Sequence, residues 1–164
     1  MATRCIITIR DTHGREYTIY RHHDGHPEDV VSDLHLLTLF YKNPVDHPEY
    51  FLANFIFYAK LERWLSERKK YEETRNPIFR GWEYGYGVSA SKGEPNIQDF
   101  KCMIPRYLDY KYLIYPKGNK AMLRIERFSF ETMDFETIFD GKLERAFERY
   151  ANGEGCHLKL ELLS

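Results

Sequence analysis

The residues from Thr3 to Tyr41 change period once, and that change constrains the fold more than any other feature. "TRCIITIR" sets Cys5, Ile7 and Ile9 against Arg4, Ile6, Thr8 and Arg10, and "REYTIYR" alternates again after "DTHG". Two alternating runs joined by a short glycine-containing turn predict an antiparallel hairpin. The spacing then becomes helical. Pro27 suits a first helical position, Glu28 and Asp29 complement the helix dipole, and Val30, Leu34, Leu37 and Tyr41 recur at helical intervals. "HHDGHP" therefore joins a strand to a helix.

A second apolar set, Leu36, Leu39 and Phe40, lies largely opposite the first. A helix apolar on two sides is normally buried on two sides, so Leu36 and Phe40 are expected to be covered by another element or by a second copy of the chain. The next helix, with Asp46 before it and Pro48 in its first turn, offers that cover through Phe51, Leu52, Phe55, Ile56 and Ala59. Its tail, Arg63 to Glu73, is charged and expected in water.

Further strands are expected at Trp82–Val88, where Trp82, Tyr84 and Tyr86 alternate with small or polar residues, and at "IQDFKCMI", "YLDYKYLIYP", "AMLRIERF" and "CHLKLELL". A helix is expected near "GKLERAFERYA". The stretch 128–141 fits loop, strand or short helix. At 164 residues and 43% apolar, one core accommodates the whole chain. The expected architecture is a single α+β domain over 1–164. It has a mainly antiparallel sheet of about five to six strands, two helices in the N-terminal half and one C-terminal helix.

Charge excludes some function classes. The 24 basic and 25 acidic residues nearly cancel, so no whole-protein field draws the chain to nucleic acid or to an anionic membrane. No apolar run approaches the roughly 20 residues of a bilayer span, and the charged start "MATRCIITIRD" is unlike a signal peptide. A cytoplasmic location is the expectation. Cys5, Cys102 and Cys156 are odd in number and widely spaced, fitting neither a disulfide framework nor a paired zinc motif. Cys156 and His157 are adjacent, and neighbours on a strand cannot face each other as a catalytic pair needs.

"YRHHDGHP" holds three of the seven histidines. His23, Asp24 and His26 are metal-ligand types, and imidazoles with a carboxylate suit a divalent ion. Consecutive His22 and His23 can point apart, however, and His-Asp-Gly-His matches no recurring zinc spacing. Asp24-Gly25 is equally turn chemistry: the carboxylate bonds to backbone N–H groups and the glycine takes positive φ. Arg21, at a strand end beside a helix N-terminus, is placed to clamp an anion or to pair with Glu28, Asp29 or Asp33.

This stretch resembles a Tyr-Arg-His-x-Asp-Gly-x-Pro segment in small bacterial, archaeal and phage proteins of no assigned activity, with Arg21, His22, Asp24, Gly25 and Pro27 at matching positions. The resemblance implies a small intracellular or mobile-element protein and carries over no catalytic residue. His26 stands where those proteins are associated with an aromatic residue, which counts against a metal role for it.

Two other segments bear on function. "GYGVSA" starts like a dinucleotide fingerprint, but no βαβ unit surrounds it. Gly85, Gly87 and Ser89 instead let a helix, a backbone or a flat ligand approach the sheet. From Lys101 to Arg127, seven basic and two acidic residues interleave with Tyr107, Tyr110, Tyr112 and Tyr115. Cations among rings are what single-stranded nucleic acid requires.

No catalytic set is complete: there is no nucleophile elbow, phosphate loop or full metal ligand set. The expected function is a binding or interaction protein. Arg21, His22, His23, Asp24 and Gly25 are its candidate ligand or partner contacts, and its partner is another protein or a second copy. Aromatic excess, 13 tyrosines and 11 phenylalanines, favours an interface. No cofactor is expected. The alternatives are a metal-dependent hydrolase or nuclease centred on His23 and Asp24, with His26 as a third ligand, and nucleic-acid binding through 101–127.

Overall fold

The computed structural model describes residues 3–41, 43–75, 88–89 and 108–151, with side-chain positions omitted for 59–67, 88 and 89. Strands β1 (Cys5–Arg10) and β2 (Glu16–Arg21) form the expected hairpin, in register from Cys5 opposite Arg21 to Arg10 opposite Glu16. Asp11 closes its turn, with Oδ1 accepting from the His13 and Arg15 amides at 2.8 and 2.9 Å. Gly14 takes the positive φ of 80° that the turn needs.

The other elements are α1 (Pro27–Thr38), α2 (Pro48–Thr74), β3 (Val88–Ser89), β4 (Tyr110–Lys117), β5 (Lys120–Ser129), β6 (Asp134–Lys142) and α3 (Leu143–Tyr150). The fold is α+β. Among the described residues six strands lie in the order β3-β2-β1-β4-β5-β6. The sheet is mixed rather than mainly antiparallel, because β1 pairs parallel with β4 at its centre while its other neighbour, β2, runs antiparallel. A parallel pair needs a long crossover, and here both N-terminal helices and β3 intervene in sequence. Helix placement departs from expectation at α1, which stops at Thr38 instead of reaching Tyr41. α2 is one continuous element of 27 residues, and α3 opens directly from the end of β6.

One sheet face is apolar. Cys5, Ile7, Ile9, Ile19, Tyr112, Ile114, Leu123 and Ile125 are buried in one cluster with Val30, Val31, Leu34 and Leu37 of α1, Phe51, Leu52 and Phe55 of α2, and Leu143 and Ala146 of α3. On the opposite face Ile6, Leu113, Tyr115, Met122 and Arg124 are half-buried. Helix α1 packs against both α2 and α3, and His35 stacks on Phe147 at 4.6 Å.

Burial of α1 on two sides therefore rests on Val31 together with Val30, Leu34 and Leu37. It does not rest on Leu36, Leu39 and Phe40. Leu36 is half-buried, and Leu39 and Phe40 are exposed. The helix ends at Thr38, so the last two residues leave its axis. The Leu39, Phe40 and Tyr41 amides bond back to the carbonyls of Leu36 and Leu37 in a closing turn. The stretch 128–141 resolves into the end of β5, a turn with Met133 at φ 56°, and β6, whose register slips by one residue beside Ile125 and Glu126.

The strands expected at 82–88, apart from Val88, and at 97–104 and 156–163 lie outside the described residues. So do Cys102, Cys156 and His157. Among the described residues no helix is long and apolar enough to cross a membrane.

Candidate functional site

The connection between β2 and α1 runs from His22 to His26, with Pro27 as the first helical residue. Its centre lies against the start of β1. The Gly25 amide donates to the Thr3 carbonyl at 3.0 Å, and the Gly25 carbonyl accepts from the Tyr112 hydroxyl at 2.7 Å. A Cβ at residue 25 would stand 2.7 Å from the Thr3 carbonyl oxygen and 3.1 Å from the Cys5 Cβ. The glycine thus permits close backbone approach, and the positive φ, 54°, belongs to Asp24. This reverses the roles expected for the Asp-Gly pair.

Arg21 is inside the protein. Its Nε donates to the His23 carbonyl at 2.9 Å and its Nη1 to Asp33 Oδ2 at 2.6 Å, while the guanidinium lies 5.8 Å from the centre of the Phe55 ring. One side chain therefore ties β2, the connection, α1 and α2 together. Of the three acids expected to compete for it, Asp33 is the one it holds at 2.6 Å. A buried pair of this kind contributes little net stability, but removing one partner costs about 3–5 kcal/mol.

The histidines take separate partners. His22 is half-buried; its Nδ1 shares a 2.8 Å hydrogen bond with the Tyr20 hydroxyl, and its ring meets His23 edge-on at 4.6 Å. His26 Nε2 shares a 2.8 Å bond with Thr3 Oγ1, and its ring faces Tyr110 at 5.8 Å. His23, Asp24 and His26 are exposed. Among the described residues no three His, Cys, Asp or Glu side chains are grouped to hold a metal ion. The proposed ligands share a loop without forming a ligand set.

Electrostatics agree with a sealed structural junction. Burial pushes the Cys5 thiol up to about 12, partly offset by Arg21, so it stays protonated at neutral pH. Burial also holds the Tyr112 phenol well above its ordinary range, which keeps it a donor to Gly25. The His22 imidazole is pushed below 6.5 by burial, then by the charges of His23 and Arg4.

The basic tyrosine segment divides between the two faces. Tyr112 is buried on the helix side, so its ring is closed to a base. Lys111, on the other face, lies 3.9 Å from the Phe135 ring centre, and Arg124 bonds Asp140 at 3.0 Å. Lys101, Tyr107, Gly85 and Gly87 are outside the described residues, as is the side chain of Ser89. Comparison with family models, with curated proteins and with solved structures finds no match.

A surface of which the sequence analysis named only Leu39 and Phe40 lies at the other end of α1. Phe40 stacks on Tyr58 with centroids 6.3 Å apart, and Tyr58 meets Phe57 edge-on at 5.7 Å. Phe57 is two turns from Tyr50 and shares its helix face; Tyr50 in turn meets His47 at 6.1 Å. The sequence signal was available, since Tyr50 and Phe57 form a stripe distinct from Phe51, Leu52 and Phe55.

Two outcomes follow from the junction. Gly25→Ala should lower stability by about 1–3 kcal/mol through overpacking, whereas Asp24→Gly should change it by less than about 1 kcal/mol because glycine accepts positive φ freely. Urea denaturation of both variants checks this, and the opposite ranking contradicts the geometry.

The second outcome concerns pH. The folded His22 binds its proton less readily than the unfolded one, so its contribution is complete above 6.5 and is lost as pH falls through the folded value. The urea midpoint should fall on acidification below about 6.5, and His22→Gln should flatten that part of the curve.

Proposed function

We propose that this protein is a binding module for another protein, with the aromatic surface of the α1–α2 end as its contact. One observation carries the reading: Leu39, Phe40, Tyr50 and Phe57 are 69%, 58%, 64% and 55% exposed. Tyr58 links the Phe40 and Phe57 rings, Tyr50 shares the helix face of Phe57, and Leu39 precedes Phe40 in the chain. Large apolar groups left contiguous in water mark interaction sites in soluble domains, and aromatic side chains are enriched where proteins meet. Asp46, His47 and Glu49 are exposed around Tyr50 and supply a polar rim.

The 22–26 connection supports this role less well, because Arg21 and Gly25 are committed inside the molecule. His23, Asp24 and His26 remain exposed along it and could take part only at the edge of a larger contact. A metal-dependent hydrolase draws no support from the grouping of the described side chains. The four exposed apolar residues carry no charge, so a second copy could meet the patch without like-charge repulsion, as a two-fold contact requires.

A photo-cross-linking residue at position 57 tests the reading. It should give a discrete adduct, either with a second copy or with one other protein, and Phe40→Asp should abolish that adduct while changing stability by less than about 0.5 kcal/mol. The same group at the exposed Glu72 should give none. Equal labelling from positions 57 and 72 would exclude this surface.

A further inference from the structure

The β4–β5 hairpin end gathers cations on the sheet face turned away from the helices. Lys117 and Lys120 are register partners, and Met122, two residues beyond Lys120, is opposite Lys142. Residues two apart on a strand share a face, as do direct partners across a ladder. The three lysines therefore stand at one corner of the sheet, and all three are exposed.

Asp140, on that face opposite Arg124, is already engaged. Asp140 Oδ1 accepts from the Tyr115 hydroxyl at 2.6 Å and Oδ2 from Arg124 Nε at 3.0 Å. Among the described residues no carboxylate lies within ion-pair distance of Lys117, Lys120 or Lys142. The Lys120 ammonium, a like charge beside it, holds the Lys142 ammonium below its ordinary range. Arg145 adds to this effect and Glu144 opposes it. Lys142 is also the residue before α3, where the helix dipole adds to a positive charge and where lysine has no acceptor to cap the free amides.

We propose that Lys117, Lys120 and Lys142 form a binding site for a phosphate group. Ammonium groups held together without carboxylates repel one another, and a dianion among them replaces that repulsion with charge-assisted hydrogen bonds. The phosphate belongs either to a small phosphorylated molecule or to the backbone of a single-stranded nucleic acid. Tyr115 and Met122, the next row on the same face, give a half-buried surface on which a base could rest. This site is independent of the aromatic surface at the α1–α2 end.

The test uses the full chain, with inorganic phosphate titrated against chloride at constant ionic strength and followed by amide NMR shifts. Phosphate should move resonances of 117–120 and 141–145 saturably, and Lys120→Gln with Lys142→Gln should weaken binding at least about tenfold. Lys69→Gln with Lys70→Gln, on the exposed tail of α2, should leave binding unchanged.

Because all these side chains are exposed, the variants should melt as the parent does. Lys142→Ser, which supplies a capping hydroxyl, should melt higher than the parent in phosphate-free buffer and bind phosphate more weakly than the parent does.

A short single-stranded oligonucleotide and a mononucleotide separate the two sources. Tighter oligonucleotide binding, with a salt slope reduced by roughly 1.4 in the double variant, assigns the phosphate to nucleic acid. Equal affinity assigns it to a small molecule. A phosphate response no larger than that of chloride, or one unchanged in the double variant, overturns the site.

Discussion

The start of β1 is the point on which the described structure depends. Three segments meet there through backbone hydrogen bonds. The Arg4 carbonyl accepts from the Asp109 and Tyr110 amides, the Arg4 amide donates to Asp109 Oδ2 at 2.8 Å, and the Thr3 carbonyl accepts from Gly25. The Tyr112 hydroxyl closes the group from the neighbouring strand. A buried peptide left without partners costs about as much as a lost hydrogen bond, or more. Each of these segments therefore fixes the others, and the parallel β1–β4 pairing is held at the end where it begins.

Among the described residues the histidine-rich loop forms no group of three metal-ligand side chains. Its polar atoms bond to Thr3, to Tyr20 and Arg21 of β2, and to Tyr112 of β4. Arg21 is buried by the same logic, anchored to a carbonyl of the loop and to a carboxylate of α1. The surfaces proposed for partners lie elsewhere: uncharged rings where α1 gives way to α2, and lysines at the β4–β5 hairpin end. The two differ in chemistry, so one suits an apolar protein surface and the other an anion.

Local signals were legible where the chemistry is local. The hairpin around Asp11–Gly14, the opening of α1 at Pro27 and the burial of Phe51, Leu52 and Phe55 all follow from residues a few positions apart. The parallel pairing of β1 with β4 was not legible, because Cys5 and Tyr110 are register partners separated by two helices in the chain and nothing in either strand names the other. The end of α1 was overrun because no glycine or proline follows Leu37 until Pro44, so helical spacing continued into Leu39 and Phe40 after the helix had stopped. β6 was obscured by its edge position: Asp134, Glu136, Thr137 and Asp140 are exposed, and the slip beside Ile125 and Glu126 breaks the alternation. At the site, residue types pointed to a turn correctly but assigned the unusual backbone to Gly25 instead of Asp24, since close approach by β1 cannot be read from neighbours in sequence.

The claim that this loop is a structural clasp is tested most directly by hydrogen exchange at the Gly25 amide. If Gly25 is fixed between Thr3 and Tyr112, its amide should exchange only through global unfolding, with the same protection free energy as the Ile7 amide in the centre of β1. Tyr112→Phe should lower both together. Exchange of Gly25 at the rate of an exposed loop amide while Ile7 stays protected would show that the connection opens on its own, and would contradict the account.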